Sequence, residues 1–210
     1  MLTQITQTEA RILGSLVEKQ LTTPEYYPLT LNALTAACNQ KSNREPVMSL
    51  GETELLAAID ELRDKNLVYL YYGSTSRTVK YKHMLPNVYE LDDAETAIIA
   101  LLLLRGPQTA GEIRGRADRL HEFGGIGEVQ QTLDALARRD EPLIAALPKQ
   151  PGQKEPRYTH MLFGDIDLDT LAASAPRVNA DTGLTKRIDK LEAALAELST
   201  EFAEFRKQFE

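Results

Sequence analysis

The segment Thr6 to Val17 returns at Asp92 to Leu103 in register, with apolar residues at the same places, so this chain folds as two copies of one small unit. Each copy opens on a capping-box pattern, Thr6 with Glu9 and Asp92 with Glu95, in which a side-chain oxygen takes the unpaired N–H groups of a helix start. Ile12, Leu13, Leu16 and Val17 answer to Ile98, Ile99, Leu102 and Leu103, which predicts one buried stripe on each first helix.

The correspondence continues. A second helix is predicted from about Thr30 to Asn39, with Leu31, Leu34 and Cys38 on one face, and from Thr109 onward, where Thr109 and Glu112 form another capping box ahead of Ile113 and Leu120. Third helices carry Leu55, Ile59 and Leu62, then Val129, Leu133 and Leu136. Each is followed by a β-like run, a turn and a return strand: Leu67–Tyr72 with Thr78–His83, and Leu143–Leu147 with Arg157–Leu162. Both return strands end in Tyr-x-His-Met-Leu, at Tyr81–Leu85 and Tyr158–Leu162. The fold class expected is therefore mainly α with small β-hairpins (α+β): two tandem winged helix-turn-helix domains, 1–88 and 89–164, packed through their long first helices. The first copy is longer between helices one and three, in Thr23-Pro-Glu-Tyr-Tyr-Pro-Leu-Thr and Asn39-Gln-Lys-Ser-Asn-Arg-Glu-Pro.

The stretch Glu18-Lys-Gln-Leu-Thr-Thr-Pro-Glu-Tyr-Tyr-Pro-Leu-Thr-Leu-Asn-Ala-Leu-Thr-Ala-Ala-Cys-Asn-Gln-Lys-Ser-Asn-Arg-Glu-Pro-Val resembles the signature of the YceH-like family of bacterial proteins. The resemblance covers most of residues 6–164. It implies tandem winged helices and no established activity, so function rests on the residues.

Beyond the repeats, 165–183 reads as a linker rich in Asp, Ala, Pro and Asn. Residues 184–210 form a C-terminal amphipathic, coiled-coil helix whose seam is Leu184, Ile188, Leu191, Leu195, Leu198, Phe202, Phe205 and Phe209. In a parallel pair Arg187 would face Glu192, and Glu201 would face Arg206. Two readings stand: a parallel homodimer, or a helix folded back on its own body.

Composition narrows the chemistry. With one cysteine, Cys38, the chain has no internal disulfide and no cysteine-based metal cluster. The start MLTQITQTEA has no basic and apolar leader pattern, and the longest apolar run, Ala97–Leu104, is too short for a membrane span, so a cytoplasmic protein without membrane contact is expected. The three histidines, His83, His121 and His160, make no metal-ligand spacing, and two of them occupy equivalent hairpin positions, which points to a shared structural role. Gly124-Gly-Ile-Gly lacks the Lys-Ser/Thr of a phosphate loop and reads as a turn and helix start. No catalytic residue, metal or cofactor is expected.

Nucleic acid is a better candidate ligand. The net charge of −7 divides into −4 from Asp165 onward and −3 over 1–164, so a basic patch has to be local. Arg77, Lys80 and Lys82 make the first hairpin basic. Lys41, Ser42, Asn43 and Arg44 offer phosphate or base-edge partners before the third helix, and Arg114, Arg116 and Arg119 line the second helix of the second copy. Against base reading, the third helices carry Glu52, Glu54, Asp60, Glu61 and Asp64, then Glu128 and Asp134. Double-stranded DNA and a protein partner, met by an adaptor surface that includes Tyr69, Tyr71, Tyr72 and Tyr81, are the two ligands left open.

Overall fold

In the computed structural model, which describes residues 3–73 and 78–164, the first helix, α1 (Gln7–Thr22), starts at the Thr6 cap. The Thr6 hydroxyl accepts from the Glu9 N–H at 3.2 Å, and the Glu9 carboxylate accepts from the Thr6 N–H at 2.6 Å. The same reciprocal bonds open α5 (Asp93–Arg105) at Asp92 and Glu95, and α6 (Ala110–Ala117) at Thr109 and Glu112. Arg77, the linker and the heptad seam from Leu184 to Phe209 lie outside the described residues.

The remaining helices are α2 (Leu31–Cys38), α3 (Glu52–Asp64), α4 (Leu85–Tyr89) and α7 (Ile126–Ala137). The third-helix stripes hold: Leu55, Ile59 and Leu62 on α3, and Val129, Leu133 and Leu136 on α7, are all buried. Leu120, expected on the second helix of the second copy, falls past the end of α6 and is half-buried. α4 has no counterpart in the sequence reading. Pro86 supplies the fixed backbone of its first turn, and it joins the repeats.

The hairpins repeat to the residue. β2 (Val68–Tyr71) pairs antiparallel with β3 (Lys80–His83), putting Leu70 opposite Tyr81 and Val68 opposite His83. β4 (Ile144–Ala146) pairs with β5 (Tyr158–His160), putting Ala146 opposite Tyr158 and Ile144 opposite His160. Met84 N–H then donates to Leu67 C=O at 2.9 Å, and Met161 N–H to Leu143 C=O at 2.8 Å. The two Tyr-x-His-Met-Leu stretches thus occupy the same place.

A third edge was missed. β1 (Leu29–Thr30) adds to β3 with Leu29 opposite Tyr81, and the second copy matches it with one isolated bridge, Gln108 to Tyr158. Two residues are too few for an alternating pattern to register in sequence.

The first helices depart most from expectation. A single stripe was predicted, yet every residue from Glu9 to Glu18 in α1 and from Glu95 to Leu104 in α5 is buried. α1 packs against its own α2 and α3 and also against α5, so both helices have protein on all sides. Gly14 marks the closest approach: a methyl group built there would lie 2.8 Å from Leu104 Cγ. One apolar cluster, from Ile5 to Leu162, runs through both copies.

The buried capping carboxylates have partners at matched positions. Glu9 pairs with Lys65, just past α3, and Glu95 pairs with Arg139, just past α7, at 2.6 Å. Each therefore closes its helix cap and ties the first helix to the end of the third. Among the described residues, no helix is long and apolar enough to cross a membrane.

Candidate functional site

The residues singled out in the sequence fall into two places. On the first hairpin, Tyr69 faces Lys82 and Tyr71 faces Lys80, and directly opposed side chains share a face of the sheet. Val68, Tyr81 and His83 are buried on the inner face. The outer face presents Tyr69, Tyr71 and Lys82 to solvent with Lys80 half-buried beside them, and Tyr72 follows, 66% exposed. Neither strand contains a carboxylate, and neither lysine pairs with an acid among the described residues.

The inner face explains the histidines. His83 and His160 are both buried, and burial holds each imidazole well below its usual value, to about 4; the Lys82 charge adds to the effect at His83. His83 packs against the Tyr27 ring and His160 against Phe163, with centroids 5.9 and 4.4 Å apart. They are neutral core groups.

The second place is a cleft of about 770 Å³ between the copies. The α2–α3 connection brings Lys41, Ser42 and Asn43 to it, the end of α5 brings Arg105, and α6 and the residues after it bring Arg116 and Arg119. The connection is held against the second copy by Glu45 N–H donating to Leu104 C=O at 2.8 Å and by Arg105 Nη2 donating to Asn43 Oδ1 at 2.7 Å.

Arg44 corrects the sequence expectation. Arg44, expected to meet a ligand, is buried: it forks onto the Glu18 carboxylate at 3.1 and 2.6 Å and donates to Ala37 C=O at 3.1 and 2.9 Å. With Asn43 C=O and Gln40 Oε1 also accepting from it, at 3.0 and 3.1 Å, four polar partners surround one guanidinium and make it a structural clamp. Arg114 is occupied by Asp118 at 2.7 Å and does not line the cleft. Arg116 does line it, half-exposed, with Nη1 on Gln108 Oε1 at 2.7 Å.

Sequence reasoning missed Arg105. It looks like an ordinary cation in the last turn of a helix, and only the fold brings it beside Asn43 and Arg116. Burial, then the Arg116 charge, push its guanidinium below the usual value.

The chain has many relatives. Residues 5–153 match the family model described as "Protein of unknown function, DUF480". A "UPF0502 protein" of Shewanella halifaxensis is 46% identical over 209 residues, covering 98% of this chain and 96% of the relative. One from Citrifermentans bemidjiense is 55% identical over 166 residues, covering 79% and 77%, and one from Opitutus terrae is 50% identical over 173 residues, covering 82% and 75%. With a family model matched over residues 5–153 and a relative 46% identical across 98% of this chain, the chain belongs to the DUF480 family, and the relatives above carry the name UPF0502.

Proposed function

We propose that this is a tandem winged-helix protein without catalytic activity that binds double-stranded DNA through the outer face of its first hairpin. The order of three helices and a hairpin, present twice with matched register, supports the winged-helix reading. The observation that carries DNA binding is the hairpin face. Cross-strand pairing sets Lys80 and Lys82 among Tyr69 and Tyr71, with no acid on either strand. Ammonium groups neutralise phosphates, and tyrosine rings pack against sugars or bases.

The third helices do not read bases in this arrangement. α3 exposes Glu52, Glu54, Asp60, Glu61 and Asp64, and such a surface repels a groove walled by phosphates. Contact is then mostly with the backbone, weak in sequence preference and steep in salt dependence.

Retention of a short duplex at about 50 mM salt tests the reading, because phosphate-driven binding is strongest at low ionic strength. The double variant Lys80→Ala/Lys82→Ala should bind more weakly, with a log–log salt slope shallower by about 2. No retention by the unaltered chain, or an unchanged slope in the variant, refutes DNA binding through this face.

A second reading draws on the α3 surface. Leu56 is 40% exposed among the five carboxylates there, and Tyr72 extends the exposed tyrosines of the hairpin. An acidic, aromatic surface suits a basic protein partner. A chain that ignores duplex DNA at low salt would favour that adaptor role.

A further inference from the structure

The cleft between the repeats holds more positive charge than its own acids neutralise. Of the two carboxylates lining it, Glu18 is taken by Arg44 and also meets Lys19 at 3.6 Å, and Asp118 is taken by Arg114. Glu112, the acid nearest Arg116 at 3.8 Å, is already gripped by Arg157 at 2.7 and 3.1 Å. Lys41, Arg105 and Arg119 have no carboxylate partner among the described residues.

Two of the cations lining the cleft, Arg105 and Arg116, are held in place by neutral acceptors. Arg105 is oriented by the Asn43 amide and Arg116 by the Gln108 amide. An amide oxygen fixes a guanidinium without cancelling its charge, leaving its other N–H groups free for an anion. Burial and then the Arg116 charge lower the Arg105 guanidinium, and the Glu18 and Glu112 carboxylates offset part of this, so a bound anion would relieve the crowding further.

We propose that this cleft binds a phosphate-bearing small molecule of nucleotide size, held by Lys41, Arg105, Arg116 and Arg119. The volume lies in the range of small-ligand sites, about 300–1,000 Å³. Leu120, half-buried, gives the same cleft an apolar surface for a base, backed by the buried Leu101 and Leu104. The ligand would touch both copies at once: the α2–α3 connection of the first, and α5 and α6 of the second. The site does not depend on the DNA reading.

Titration calorimetry on the full chain at about 50 mM salt, with pyrophosphate and with adenosine diphosphate as probes, tests this. Both should bind, the nucleotide more tightly, and both should raise the melting temperature by mass action. Arg116→Ala, Arg119→Ala and Lys41→Ala should each weaken pyrophosphate about tenfold, as expected for one lost charge-assisted bond. Arg116→Lys should recover part of the loss, since it keeps the charge and loses the fork. Lys80→Ala/Lys82→Ala should leave pyrophosphate binding unchanged. Absence of binding by both probes overturns the proposal. So does affinity that survives the three alanine changes together or that falls with the hairpin lysines, either of which marks diffuse attraction. A nucleotide no tighter than pyrophosphate overturns the claim of nucleotide size. A chain that binds pyrophosphate and ignores duplex DNA loses the DNA reading alone.

Discussion

The two repeats close the gap between their second and third helices by different means. In the second, the connection 118–125 is short, and one apolar side chain plugs it: Phe123 is buried and meets His121 edge-on at 4.6 Å. In the first, the connection 39–51 is longer and mostly exposed, and the last carbonyls of α2 that it passes over are buried and need donors. Three polar side chains serve it. Arg11, on α1 where α5 has Ala97, donates to Cys38 C=O at 3.1 Å and to Pro46 C=O. Arg44 takes Ala37 C=O and Glu18, and Asn39 exchanges two bonds with Leu50 at 2.9 and 2.7 Å. An insertion in a duplicated fold thus recruits hydrogen-bond donors where the shorter copy needs only volume. It also carries Lys41 and Asn43 out to the cleft.

The largest effects should come from removing each plug. Phe123→Ala should cost about 3–5 kcal/mol, the usual range for an emptied aromatic site. Arg11→Met keeps most of the volume but leaves the buried Cys38 carbonyl bare, at roughly 1–3 kcal/mol, and gives up the bond to the carbonyl of the exposed Pro46. Removing a buried cation whose guanidinium is already pushed down by burial and by Arg44 returns some of that, so a net loss of about 2 kcal/mol is expected. Urea unfolding at pH 7 measures both. A loss below about 1 kcal/mol for Arg11→Met beside a full loss for Phe123→Ala would break the comparison, because the donors would then be dispensable.

The histidines sharpen the likeness between the copies. Each is neutral in the fold and titrates near 4, against 6.5 in the unfolded chain. Between those values the unfolded state binds the extra proton, so stability is full above about pH 6.5 and falls as pH drops toward 4. Each site should contribute about 3 kcal/mol to that fall. His83→Leu and His160→Leu should each remove a similar share of the pH dependence, read from urea midpoints at pH 7 and pH 4.5. A change at only one of them would mean that the two hairpin pockets differ despite their shared register.

Much of this was legible in the sequence because it is local. Capping boxes, third-helix stripes and the Tyr-x-His-Met-Leu strands depend on neighbours within a few residues, and each appears where the pattern puts it. Periodicity could not reveal that α1 and α5 are buried all round, since the apolar stripe records the side facing the helix's own copy and says little of the other copy. Arg44 shows the same limit for charge. A cation in a polar turn reads alike whether it faces water or a carboxylate 26 residues away. The cleft was half legible: Lys41, Ser42, Asn43, Arg116 and Arg119 stand out by type, while Arg105 belongs to the site only through tertiary packing.

The smallest expected effect tests the contact between the repeats. Gly14 and Ala100 are equivalent positions on α1 and α5, and only the second carries a methyl group. At Gly14 that methyl would sit 2.8 and 2.9 Å from Leu104 Cγ and Cδ2 and 3.2 Å from Leu103 Cβ. The collision should cost about 1–3 kcal/mol. Alanine returns up to about 1 kcal/mol through helix propensity, so Gly14→Ala should destabilise by about 1 kcal/mol net. Leu104→Ala alone opens a cavity, but in the double variant it makes room for the new methyl. The cycle should therefore give a favourable coupling of about 1 kcal/mol or more, larger than the few tenths found between independent sites. Stabilisation by Gly14→Ala, or additivity in the cycle, would mean that α1 and α5 have slack at this point and that the glycine is not what lets them meet.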